Sequence, residues 1–225
     1  MRIDPAEAIL RVVQFIILLT FHEWGHAKSA NMLGDPTAED EGRMTFNPAA
    51  HIDIIGTVML PLIGTLFGGL FFGWAKPVPV NPYNLRNPKR DLMIIAAAGP
   101  IMNILCTIVI LGCLSILSLA IGFPDNSSAI QSLIYEQLEI SAVISVFLAV
   151  FNMLPIFPLD GYSVLYGLLP WKQARSFERS RPYGMMILMG IIFIPSLLRI
   201  PNPVFELMRF VTANIFYLVQ ILVRL

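Results

Sequence analysis

The sequence predicts an all-α polytopic membrane protein, with about five or six transmembrane helices, a re-entrant segment and short membrane-associated β elements. Three observations lead there. Apolar residues make up 56% of the 225-residue chain and charged residues only 13%, a balance far from that of a soluble domain. Long apolar runs recur, and at about 20 residues per helical crossing the chain has room for those spans and little else. One run is interrupted by a proline and several glycines, breakers that a straight span would not need. The whole chain, residues 1 to 225, is therefore read as a single transmembrane domain, with a core over residues 5 to 170 and C-terminal helices over 184 to 225.

The first helix is expected over residues 5 to 33, with Asp4 as N-cap, Pro5 at the first helical position and Gly34 as the stop. At 1.5 Å per residue it is roughly 43 Å long, enough to cross and protrude. No polar cleavage region follows a short apolar core, so this span is expected to be retained and not removed as a signal peptide. Residues 35 to 53 are polar and rich in turn formers, and the alternating run from Arg43 to Phe46 reads as a small strand or hairpin. Residues 54 to 74 are apolar but broken by Pro61 and by Gly56, Gly64, Gly68, Gly69 and Gly73. Prolines 77, 79, 82 and 88 then forbid helix and favour extended backbone.

A long helix follows from Pro88 to Gly122, with a kink expected at Gly99 and Pro100. After a polar turn, the next span is expected from Glu136 to Leu159. A basic, amphipathic connector carries Lys172, Arg175, Arg179 and Arg181, and apolar segments at 184 to 199 and 203 to 224 complete the chain. Cys106 and Cys113 stand roughly 10 Å apart along one helix, too far for a disulfide. With a net charge of zero and no run of Lys or Arg, nucleic acid is not an expected partner; the lipid bilayer is.

An ionisable side chain at the centre of a bilayer costs upwards of about 2.5 kcal/mol. Yet "FHEWGH" places His22, Glu23 and His26, including two of the chain's three histidines, within the first apolar helix. Residues four apart share a helix face, so the two imidazoles can turn toward one ion while Glu23 reaches a water on it. This H-E-x-x-H spacing is that of zinc hydrolases. The plainer alternative is a pair of core histidines bonded to backbone or to Glu23. A catalytic zinc site needs a third ligand, and Asp160 is the candidate. It follows Pro155 and Pro158 at the polar end of an apolar span, although "PLDG" alone reads as a helix stop with a capping Asp.

Taken together, "FHEWGH" and "FNMLPIFPLDG" resemble the motifs of the site-2 proteases, intramembrane zinc metalloproteases of peptidase family M50. "GRMTFNPAAHIDIIGT", "GWAKPVPVNP" and "AAAGPIMN" resemble its compact prokaryotic branch. The resemblance implies one Zn2+ per chain, held by His22, His26 and Asp160, with Glu23 as general base and Asn152 holding substrate or oxyanion. It also implies peptide-bond hydrolysis in or near the transmembrane segments of single-span substrates, that is, regulated intramembrane proteolysis in the cell (inner) membrane. Asn103 is a further substrate-binding candidate. Larger family members carry a PDZ or CBS domain; no segment here suits either, so recognition is expected to fall on the membrane portion.

For Asp160 to meet His22 and His26, its span must run parallel to the first helix. Residues 54 to 74 are therefore expected to dip into the bilayer and return. The bias of Lys and Arg places the active site toward the cytoplasm, opposite the turn near Asp125. An unwound substrate is expected to add as a strand against Arg43 and Thr45, or against the loop holding Pro77 and Pro79. His51 and Asp53 read as an interfacial hydrogen-bonded pair, with an accessory-ligand role as the alternative. Trp24, Trp74 and Trp171 read as interface anchors or packing residues. The rival functions are a metal-dependent transporter, disfavoured by the few ionisable groups on later spans, and an inactive membrane scaffold. Oligomeric state is not legible.

Overall fold

A computed structural model describes residues 4–66, 73–121, 129–198 and 200–224. Helix α1, Pro5–Met32, begins as its sequence dictates: the Asp4 carboxylate accepts from the Ala6 N–H at 3.3 Å and Pro5 supplies a preset φ. It ends where the Leu33 N–H closes on the Ser29 and Ala30 carbonyls and Gly34, at φ +103°, turns the chain away. A short helix, α2 (Thr37–Asp40), a 3-10 turn (Pro48–Ala50) and a π-helical turn (Ile54–Met59) lead into α3, Leu60–Leu66. Past a second 3-10 turn, Pro82–Asn84, come α4 (Pro88–Ile121), α5 (Ala129–Asn152), α6 (Asp160–Leu168), α7 (Trp171–Glu178), α8 (Gly184–Leu198) and α9 (Pro203–Arg224).

Among the described residues, α1, α4 and α5 are the helices long and apolar enough to cross a membrane, three against the five or six expected. Helix α8 has 15 residues, about 22 Å, shorter than a hydrocarbon core of about 30 Å. Helix α4 runs through Pro100 as one element. Glycines 68 and 69, Asp125 and the polar turn around it lie outside the described residues.

The expected β elements are not formed among the described residues. Residues 44 to 46 form a bend, and polar groups of the run are taken locally. The Arg43 N–H donates to the Ala38 carbonyl at 2.7 Å, and His51 Nε2 donates to the Thr45 carbonyl at 2.9 Å. The alternation that suggested a strand has another cause: the Phe46 ring stacks on Trp24, centroids 4.7 Å apart, and lies against Phe21 at 5.1 Å. Residues 73 to 81 belong to neither a helix nor a strand.

Three sets of contacts fix the directions of the spans. Gln14 near the start of α1 bonds Gln137 near the start of α5 at 2.9 Å, and Leu18 and Leu19 pack with Leu148 further along, so α1 and α5 are parallel. Helix α4 is antiparallel to α1, since Ile95 lies beside His26 and Asn103 beside His22. Leu111 and Leu114 of α4 pack on Tyr135 and Ala142 of α5. Leu188 and Ile192 of α8 and Met208 of α9 close a further core around Phe151 and Leu159.

The chain between α1 and α4 leaves and returns at one place. The Lys76 N–H donates to the His51 carbonyl at 2.9 Å, Arg43 Nη2 donates to the Lys76 carbonyl at 2.6 Å, and the Trp74 N–H donates to the Gly56 carbonyl at 3.1 Å. Asp53 caps the π-helical turn by accepting from the Gly56 N–H at 2.7 Å. His51 and Asp53 thus each take a separate partner and are not the bonded pair expected. Next to Gly34, the wholly buried Asp35 accepts from Thr37, the Asn81 N–H at 2.7 Å and Asn84 Nδ2 at 2.8 Å. Burial raises its pKa, but the hydrogen bonds from Thr37, Asn84 and Asn81 outweigh it and hold the carboxyl below the usual range.

Candidate active site

His22 and His26 stand one helical turn apart on the inner face of α1, 3% and 8% exposed, with Glu23 beside them at 7%. Their rings meet edge to face at 4.7 Å. Ligand atoms of the three side chains all lie within 4.8 Å of one another. Asp160, the first residue of α6, completes the cluster: Oδ2 lies 3.1 Å from His22 Nε2 and Oδ1 lies 3.4 Å from His26 Nε2. Parallel α1 and α5 make this meeting feasible, because the turn after α5 emerges level with the second half of α1.

The opposite nitrogen of each ring is also engaged. His22 Nδ1 faces Asn103 Oδ1 at 2.5 Å and His26 Nδ1 faces the Ile95 carbonyl at 2.7 Å. Both acceptors lie on α4. With each Nδ1–H donating to oxygen, the Nε2 atoms of both rings are turned toward the Asp160 carboxylate, the side from which a metal would be bound. Gly99 of α4 makes this packing feasible, since a β-carbon there would stand 2.6 Å from His22 Nε2 and closer still to His26 Nε2. The donor set fits zinc: two imidazoles oriented from behind by oxygen acceptors, one carboxylate, and a glycine-lined face free of side chain.

The cluster forms part of the wall of a cavity of about 440 Å³, otherwise lined largely by apolar side chains such as Leu148, Phe151, Leu159 and Leu188. Asn152 and Pro77 also line it. Asn152 Nδ2 donates to the Leu148 carbonyl one turn back at 3.0 Å. Asn103 does not line it: wholly buried behind His22, it has no surface to offer a substrate. Arg43, Thr45 and Pro79 are likewise outside the lining; Arg43 is 5% exposed and anchors the Lys76 carbonyl. His51 lies with Thr45, away from the cluster. Of the tryptophans, Trp74 lines the cavity, Trp24 packs on Phe46, and Trp171 lies beneath the Lys89 ammonium at 4.9 Å.

Three contributors escaped the sequence reading. In the sequence Gly99 marks only a kink; its place opposite two histidines depends on the α1–α4 register. The Ile95 carbonyl has no sequence signal. Ser145, wholly buried and bonded to the Asn103 carbonyl at 2.7 Å, carries a weak one as a small polar residue inside an apolar span.

Residues 112–195 match the model of peptidase family M50, a stretch that includes Asn152 and Asp160. The chain is 30% identical over 184 residues to "Putative zinc metalloprotease YwhC" of Bacillus subtilis, covering 82% of this chain and 80% of that protein. It is 28% identical over 192 residues to "Putative zinc metalloprotease Rip2" of Mycolicibacterium smegmatis (85% and 69% covered). It is 23% identical over 189 residues to the Rip2 of Mycobacterium tuberculosis (84% and 68% covered). No solved structure matches the chain. With the paired motifs brought together in space and a relative aligned over most of both lengths, the chain belongs to peptidase family M50, the metalloendopeptidases of the site-2 protease type.

Proposed function

We propose that this chain is an intramembrane zinc metalloprotease. His22, His26 and Asp160 hold a single zinc ion, Glu23 is the general base, and the substrates are single-span membrane proteins cut within or near their transmembrane segments. The observation that carries this reading is the convergence of two oriented Nε2 atoms on one carboxylate, at 3.1 and 3.4 Å, inside a bundle of apolar helices. The names of the relatives support the choice of metal.

Zinc, when bound, supplies a Lewis acid that polarises a peptide carbonyl and makes water acidic near neutral pH. The chain's own residues do the rest. Asn103 and the Ile95 carbonyl hold both rings in the ligating tautomer. Glu23 takes a proton from the attacking water as its oxygen bonds to the scissile carbon, and returns it to the amine as the C–N bond breaks. Asn152 offers its amide to the substrate carbonyl from the cavity wall. The apolar lining excludes bulk water and strengthens each of these interactions.

A substrate helix must unwind before its carbonyls are exposed, and residues 73 to 81, which form neither helix nor strand and whose prolines exclude helix, offer a template. Pro77 and Pro79 have no N–H, while the alternate residues Val78 and Val80 keep theirs and both line the cavity. An unwound segment would pair with Val78 and Val80, and the prolines would block the other side. Arg43 and Thr45 act at one remove, holding the loop through Lys76 and His51. The bonded ends of the 51 to 76 excursion support a re-entrant course. The gathering of Arg43, Lys76 and Lys89 near the end of α1 and the start of α4 supports a cytoplasmic-facing site in the cell (inner) membrane.

The test is a matched set of variants of the full chain. Glu23→Gln should keep zinc, lose cleavage by about 10²–10⁴-fold, and leave substrate membrane proteins accumulating uncut. His22→Ala, His26→Ala and Asp160→Ala should each lower bound zinc. Full zinc retention in the Asp160 variant would remove that carboxylate from the ligand set, and a Glu23→Gln variant that loses zinc would make Glu23 the ligand instead.

A further inference from the structure

Behind the histidine pair lies a polar node that joins the three long helices, buried throughout. Its centre is Asn103 on α4, with Ser145 of α5 and the Leu18 carbonyl of α1 around it; Asn103 and Ser145 are both 0% exposed. Asn103 Oδ1 lies 2.5 Å from His22 Nδ1, and its Nδ2 donates to the Leu18 carbonyl and to Ser145 Oγ, both at 3.4 Å. Ser145 Oγ in turn donates to the Asn103 carbonyl at 2.7 Å.

Every proton in this node has one consistent place. The Leu18 carbonyl can only accept, so the amide nitrogen of Asn103 must face it. The Ser145 hydroxyl proton is spent on the Asn103 carbonyl, so its oxygen is free to accept the second Nδ2 proton. The amide therefore cannot flip, and Oδ1 is fixed toward His22. An oxygen facing Nδ1 requires the proton on Nδ1, so a metal seated between Nε2 and the Asp160 carboxylate finds the Nε2 lone pair turned toward it.

Resting on the metal-site reading above, we propose that Asn103 is a positioning residue: through Oδ1 it selects the His22 tautomer that ligates metal, with Ser145 locking the amide. The two histidines differ here. His26 is oriented by a backbone carbonyl, which no substitution removes, whereas His22 depends on a single side chain. Asn103 so far carries only the expectation of substrate binding, and its burial leaves no path for that role.

The experiment uses full-length protein in detergent, with zinc affinity measured by chelator competition and histidine tautomers by 15N NMR of the metal-free protein in an Asp160→Ala background, which removes the other acceptor facing His22 Nε2; three histidines must be resolved. Asn103→Leu keeps the volume and removes the acceptor. It should weaken zinc binding by about 10–100-fold, the usual cost of losing an outer partner of a ligating histidine, and His22 should populate the Nε2–H tautomer. Asn103→Asp keeps an acceptor and loses the amide donors; it should hold affinity within a few-fold of wild type and keep the Nδ1–H tautomer. Ser145→Ala leaves Asn103 in place while unlocking the amide, should give mixed tautomers, and serves where the Leu variant does not fold. Equal weakening by the Leu and Asp variants would make Asn103 a packing residue and overturn the proposal. So would wild-type affinity in Asn103→Leu while His22→Ala binds poorly. Wild-type affinity in His22→Ala would instead defeat the metal-site reading itself.

Discussion

Replacing Gly99 by alanine adds one methyl group to α4 and should remove the metal. That β-carbon would stand 2.6 Å from His22 Nε2 and nearer to His26 Nε2, whereas non-bonded atoms of this size rest at about 3.5 Å. Each ring would have to retreat by roughly 1 Å, against the 0.2 Å or so that a zinc–nitrogen bond of about 2.0–2.1 Å tolerates. Disturbing one ligand's outer partner costs about 10–100-fold in affinity, so displacing two ligands predicts a loss of at least about 100-fold. Loss of the fold is not the expected cause, because alanine is a better helix former than glycine by about 1 kcal/mol. Gly112→Ala provides the control, since a β-carbon there meets nothing within 4 Å; it should keep zinc and gain slightly in thermal stability. Zinc content by mass spectrometry, with chelator competition and a melting curve, reads out both variants. Wild-type zinc affinity in Gly99→Ala would show that the ligands do not meet opposite Gly99, and the reasoning would fall.

Three further outcomes follow from the same contacts. Asp35→Ala should cost about 2 kcal/mol by stranding the donors of Thr37, Asn81 and Asn84. Because the folded pKa of Asp35 is lowered, this stabilisation is present above the unfolded value near about 4 and is lost as pH falls through the folded one; melting curves of both proteins should converge in acid. Val78→Pro should remove a template N–H and slow cleavage of a helical transmembrane substrate by about tenfold or more while sparing a short unstructured peptide and zinc content, and equal rates on the helix would end the template idea. Single cysteines replacing Glu41 and Tyr83, in a background lacking Cys106 and Cys113, should label from the same membrane face, and one replacing Ala129 from the other; labelling of Glu41 and Tyr83 from opposite faces would refute the re-entrant course.

What could be read from sequence was whatever local chemistry decides. Asp4, Pro5 and Gly34 marked both ends of α1 because capping and left-handed turns are local events. The meeting of His22, His26 and Asp160 was legible because ligand chemistry demands a third partner for an H-E-x-x-H pair. Tertiary packing hid the remainder. Helix α5 starts at Ala129 and not near Glu136, where Tyr135 packs against Leu111 and Leu114 of α4. The run from Arg43 to Phe46 alternates to seat Phe46 on Trp24, a contact indistinguishable in sequence from a strand's inward face. Asn103 looked like a substrate ligand because nothing in "AGPIMN" reveals that its side chain points at a histidine 81 positions away.

The separation of 138 residues between His22 and Asp160 has a consequence for biogenesis. A chain inserting from its N-terminus brings in α1 first, with two imidazoles and a carboxylate that the bilayer tolerates poorly. Helix α4 arrives next and already supplies both oxygen acceptors, so the rings can be set while the coordination sphere is still open on one side. Asp160 reaches the cluster only after α5 has crossed. A nascent chain arrested before that point should hold oriented histidines and bind zinc weakly. On the proposed metal site, the newly made protein would stay inert until α5 has brought Asp160 to the histidines.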